Sequence, residues 1–130
     1  MTGLQQAVYA ALAGTSGVNT LVGSRVFPDV APQGAGRPYV VWQEISQVPT
    51  ADIAGSPASG NVENTRVQVT SWCAGTDGAT KARELDYQCR LAMLASSGFK
   101  STIVDARSLG QDPETKLFGF QSDFSVWFRT

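Results

Sequence analysis

The chain has 130 residues, 42% of them apolar and only 16% charged, against about a quarter in an average soluble domain. Ten Lys and Arg against eleven Asp and Glu leave a net charge of −1, with no basic or acidic tail, so charge gives no support to tight DNA binding. Histidine is absent, which excludes Ser-His-Asp and Cys-His catalysis, His general bases and His metal sites; two cysteines, Cys73 and Cys89, cannot complete a four-ligand zinc site.

This length fits a single domain, 1–130, with one real core. The opening MTGLQQAVYAALAG has no basic n-region and does not read as a signal peptide, and no apolar run approaches a membrane span. The expected setting is a reducing cytosol with free thiols. Few charges, 13 Gly and many Ser, Thr and Ala leave a surface poorly protected against association.

Leu4, Ala7, Val8, Ala11 and Leu12 recur at helical spacing and predict a helix over residues 3–13. A short helical turn follows over 18–22, ending at Gly23, and then a short strand over 25–27, stopped by Pro28. PDVAPQGAGRP, 28–38, is a connection. YVVWQEIS, 39–46, is rich in β-formers and reads as a strand whose two faces are equally apolar, leaving the side of Trp42 open. Residues 47–61 carry one charge, Asp52, with two prolines and two glycines, and predict a long loop of the kind that is usually functional or mobile.

Residues 62–73 alternate: Val67, Val69 and Cys73 on one side, Asn64, Arg66, Gln68, Thr70 and Trp72 on the other. AGTDG turns into a second helix over 80–97, with Asp77 as its N-cap. Ala82, Leu85, Cys89, Ala92 and Met93 form its core stripe, and Tyr87, Leu91 and Leu94 a second apolar strip on the far flank, as in a helix that is deeply buried or touches a partner. Residues 102–109 read as a strand weakened by Asp105 and Arg107, and DPETK as a turn. Residues 117–129 give the clearest strand: Phe118, Phe120, Phe124, Val126 and Phe128 share one parity, and Gln121, Asp123, Ser125, Trp127 and Arg129 the other. The expected fold is α+β, a two-layer sandwich of an antiparallel sheet of four or five strands with two main helices on one face. Leu85, Cys89, Phe120, Phe124 and Phe128 are its expected core.

No constellation of chemistry emerges. Asp77, Asp105, Asp112 and Glu114 sit in turns and strands with nothing to pair them, so a hydrolase or transferase using two carboxylates finds no support. The glycines of VAPQGAGRPY precede a strand and do not form a phosphate loop. Cys73 and Cys89 fall on inward faces of neighbouring elements, as buried thiols; whether they pair stays open. No enzyme activity, cofactor or metal is expected. Trp72 and Trp127 lie opposite their strands' core parity, and tryptophan favours the centres of interfaces. Trp42, Trp72 and Trp127, with Arg66, Arg129 and Ile53 of the long loop, are therefore the candidate subunit-interface residues. A cytosolic oligomeric ligand-binding module, with the long loop as lid, is the competing reading.

Three stretches, VFPDVAPQGAGRPYVVWQEIS, NTRVQVTSWCAGTDGATKARELDYQCRLAM and DPETKLFGFQSDFSVWFR, resemble in sequence and order the tail completion, or tail terminator, proteins of long-tailed bacteriophages and related prophage particles. The resemblance covers nearly the whole chain except 47–61. It implies a structural virion protein made in the host bacterial cytoplasm. Such proteins form a six-membered ring at the head-proximal end of the tail tube, with the tail-tube protein and a head connector or neck protein as partners. DNA passes through the lumen without specific binding. The family has no catalytic residue or cofactor to carry over. Another neck or tail-tube structural protein is the nearest alternative.

Overall fold

The computed structural model describes residues 3–50 and 62–129, apart from the side chains at 48–50 and 62. Its elements are helix α1 (Gly3–Gly14), helix α2 (Ser16–Val22), strand β1 (Val26–Pro28), strands β2 (Tyr39–Thr50) and β3 (Val62–Cys73), helix α3 (Gly78–Ala95), and strands β4 (Lys100–Gln111) and β5 (Phe118–Arg129). The five strands form one sheet in the order β1-β2-β3-β5-β4, and the helices cover one face of it. The α+β sandwich expected from the sequence is the fold observed.

Helical spacing decides which side of each helix meets the sheet. Leu4, Val8 and Leu12 of α1 are buried, as are Val18 and Val22 of α2. Gly23 ends α2 with φ of 60°, a conformation glycine adopts without steric cost, and donates its N–H to the Asn19 carbonyl at 2.7 Å. Helix α3 buries Ala82, Leu85, Cys89, Ala92 and Met93. Asp77 precedes it but makes no side-chain cap; its carboxylate instead pairs with Lys81 at 3.4 Å.

Period-two alternation decides the sheet. Along β5, Phe124 and Val126 are buried, and Phe118, Phe120 and Phe128 pack against the core from its margin. Phe124 lies between Val67 of β3 and Ile103 of β4. Phe120 reaches Arg83 of α3, and Phe128 comes against Gly3 of α1. The intended core residues Leu85, Cys89 and Phe124 are buried, while Phe120 and Phe128 are only partly so.

The structure corrects three expectations. The sheet is not wholly antiparallel: β1 runs parallel to β2, with Val26 beside Val40. The connection at 29–38 is long enough to carry the chain back to the same end of the sheet. This return is fastened by Arg25, whose Nε donates to the Pro38 carbonyl at 2.8 Å while its own carbonyl accepts from Val40. Second, residues 47–50 are strand: β2 runs on to Thr50 because Gln47 finds Thr65, and Thr50 finds Val62, across β3. The rest of the expected loop, 51–61, lies outside the described residues.

Third, Trp42 is a core residue. The register that sets Trp42 opposite Val69 puts it on the helix-covered face, where it is 1% exposed. It cannot present itself to a partner from there. Among the described residues its indole N–H meets no hydrogen-bond partner, a desolvation cost set against the volume the ring fills.

Phe124→Ala should therefore destabilise the protein by about 3–5 kcal/mol in chemical or thermal unfolding. A melting temperature within about a degree of wild type would rule out this register of β5.

Candidate assembly surfaces

The helices leave one face of the sheet bare. On it, side chains from three strands form a cross-strand polar ladder. Arg107 of β4 donates to Asp105 at 2.8 Å, to Asp123 of β5 at 3.4 Å, and to Gln121. Gln121 in turn donates to Thr70 of β3 at 3.0 Å, Gln68 to Asp123 at 3.1 Å, and Asn64 to Ser125 at 2.8 Å. Arg107, which with Asp105 weakened the strand signal of β4, thus ties it to β5, while Asp105 holds Arg107 from within β4. Opposite-charge and amide pairs across strands each add a few tenths of a kcal/mol to about 1 kcal/mol, and together they make the open face stable in water.

Two tryptophans sit on this face in different ways. Trp72 lies across the strand pair from Gly119, and a Cβ on that glycine would come within 2.7 Å of the indole ring. The missing side chain is the seat of the tryptophan, which leaves Trp72 half-buried within its own chain. Trp127, between Asn64 and Lys100, is 45% exposed. Arg66 and Arg129 are exposed on the same face. The structure thus brings Trp72, Trp127, Arg66 and Arg129 onto one surface and leaves Trp42 beneath it; Ile53 lies outside the described residues.

On the opposite side of the molecule, Tyr87, Leu91 and Leu94 of α3 form the exposed apolar ridge expected from the second strip. Leu21, Val30, Ile45, Ile103, Val104 and Leu109 are exposed as well. Ile45, Val104 and Leu109 each stand at a shift in strand register, between Glu44 and Ser46, between Ile103 and Asp105, and between Ser108 and Gly110. A bulge breaks the period-two pattern that sequence reading relies on, and so hides such residues.

Between the layers lies a buried carboxyl. Asp86 of α3 is 1% exposed and accepts from Ser122 Oγ at 2.7 and 2.8 Å and from Arg90 at 3.0 Å. It fixes the helix to the middle of β5. Burial pushes its carboxyl above the ordinary range, against the lowering pull of Ser122, Arg90 and Arg83. The thiols are equally withdrawn. Cys73 and Cys89 are free, and burial pushes them up to about 11 and about 12, so neither is a ready nucleophile.

A cavity of about 380 Å³ opens beside Cys73, between Leu21, Pro38 and Leu85, with Arg37, Lys81 and Glu84 at its rim. Among the described residues no three His, Cys, Asp or Glu side chains are placed to hold a metal, and no helix is long and apolar enough to cross a membrane.

One layer of helices, one open polar sheet face and an exposed apolar ridge define an α+β domain. The chain belongs to the family of tail completion proteins described as Tail completion protein gp17, whose model matches residues 6–129. It is therefore a structural protein of phage-type tails. A chain in the solved virion of a native gene transfer agent particle shares the fold, with a TM-score of 0.73 and 17% identity over 98% of this chain and 95% of that one. A crystal structure from Akkermansia muciniphila aligns at a TM-score of 0.40 and 8% identity over 69% of this chain and 42% of that one. No curated protein matches.

The raised carboxyl of Asp86 holds its proton more tightly in the folded chain than in the unfolded one. The folded state gains from this below the ordinary carboxylate range and loses the gain as pH rises through the folded pKa. In denaturant unfolding at a series of pH values, the stability of wild type relative to Asp86→Asn should fall as pH rises from acid to neutral. A relative stability that climbs over that range would contradict the assignment.

Proposed function

We propose that the protein forms a ring at the head-proximal end of a phage tail, where it stops growth of the tail tube and joins the tail to the head. The observation that carries this reading is the family match over nearly the whole chain, 6–129. A chain of the same fold in a gene transfer agent virion supports a place within such a particle. The partners are further copies of the chain, the tail-tube protein and a connector or neck protein of the head. DNA passes through the lumen without specific binding.

The open sheet face, with Trp72, Trp127, Arg66 and Arg129, is the surface this reading assigns to assembly. An exposed tryptophan beside arginines has the composition of an interface anchor. The polar ladder around it is already satisfied within the chain, so a partner can cover the face without leaving buried polar groups unpaired. The whole chain, 1–130, acts here as one domain.

In sedimentation and negative-stain microscopy the wild-type chain should form a ring of about six copies around a central hole. Trp127→Glu should stay folded and lower the fraction assembled on tails. A compact monomer throughout the micromolar range, or unchanged assembly with the charge in place, would contradict the reading.

A further inference from the structure

Among the described residues both long edges of the sheet are open. On one side β1 covers only Val40–Trp42 of β2, and the only described partner of residues 43–50 is β3. On the other side β4 pairs only with β5 along its whole length. Unpaired edges of this length invite another strand, and soluble proteins usually blunt them with lysine, proline or inward charges. Lys100 and Pro49 stand near the ends and Glu44, Asp105 and Arg107 in the middles, yet the bulges leave apolar side chains at both edges. Each bulge puts out an apolar side chain: Ile45 on the β2 edge, 50% exposed, and Val104 and Leu109 on the β4 edge, 47% and 41% exposed.

The two edges are also complementary in direction and charge. Three antiparallel pairings separate β2 from β4, so within one chain they run in opposite senses. A copy related by rotation about an axis along the strands therefore presents its β4 antiparallel to the first copy's β2. At the β2 edge, Asp29 and Glu63 lie close enough to Glu44 to add to the effect of its burial in raising its carboxyl, and among the described residues none of the three is in an ion pair. At the β4 edge stand Lys100 and Arg107 against a single acid, Asp105, and Arg83 and Arg90 of α3 lie over the neighbouring strand β5. Arg90 and Arg107 are held by acids, whereas Lys100 and Arg83 are in no ion pair among the described residues. An acidic edge thus faces away from a cationic one at the opposite end of the same sheet.

We propose that these edges are the joint between copies: residues 43–48 of β2 in one copy pair antiparallel with β4 of the next, burying Ile45 against Val104 and setting the Glu44 cluster against the cationic flank. A contact between two different surfaces of one molecule is head-to-tail, and a constant rotation closes it into a ring instead of a dimer. The sheet then continues from copy to copy, which removes the open edges. This joint rests on the self-associating reading above.

The test uses two full-length variants, Ile45→Cys and Val104→Cys, prepared separately; the native thiols are buried and give little background. Each is checked by sedimentation for wild-type assembly, mixed with the other, and treated with a short bis-maleimide, since a disulfide demands stricter geometry. The mixture should give a covalent dimer holding one copy of each variant, on the order of tenfold or more above either variant alone, because assembly holds the two thiols at high effective concentration. The double variant should give a ladder of multiples of the chain mass. Val104→Lys, which leaves both cysteines untouched, should stay folded and lose assembly.

If wild type assembles but no cross-link forms, or each variant links to itself, the edge joint is overturned while the ring reading stands. The same holds if Leu91→Glu on the α3 ridge abolishes assembly and Val104→Lys does not. If wild type never assembles, both fall together.

Discussion

The structure depends on the alternation of β5 and its partner β3, which assigns one face of the sheet to the helices and the other to water. Phe124, Val126, Val67 and Val69 go under the helical layer; Gln121, Asp123, Ser125, Gln68 and Thr70 go outward. A slip of one residue would exchange the two sets, burying a row of amides and carboxylates and exposing the phenylalanines, so the register is strongly held. Ser122 is the exception that strengthens the rule. It points inward because Asp86 is there to accept from it, and the pair locks α3 over the strand.

From that division the other surfaces follow. The chain has helix enough for one face only, so the second must be stable in contact with solvent or a partner. The Arg107, Asp123 and Gln121 ladder provides this without an apolar core of its own. The order β1-β2-β3-β5-β4 leaves β4 and most of β2 as edges, and neither is covered by a helix among the described residues. Burial holds both thiols far from reactive pKa values, and the buried carboxyl of Asp86 serves as a strut between α3 and β5. Membership of the tail completion family makes the chain a structural protein of phage-type tails.

Much of this was legible in the residues. The helical spacing of α1, the alternation of β3 and β5, and the two strips of α3 each carry a single period, though spacing alone leaves open whether the second strip of α3 is buried or meets a partner. What was not legible lacked a period. Tyr39, Val40, Val41 and Trp42 are apolar in succession, so only the register against β3 could decide that Val40 and Trp42 go inward. The parallel pairing of β1 rests on a non-local return of the chain that no local pattern encodes. The extension of β2 through residues 47–50 needed a partner strand to become visible. The bulges at Ile45, Val104 and Leu109 erase the very signal by which a strand is read, and they lie at the edges where assembly is proposed.

Amide hydrogen exchange of the full-length wild-type chain, compared between dilute and concentrated solution, tests this account most directly. Edge-to-edge assembly predicts that protection rises with concentration at residues 43–48 of β2 and along β4, while β3 and β5, already paired on both sides, stay unchanged. Protection gained on the α3 ridge with both edges unaltered would contradict it.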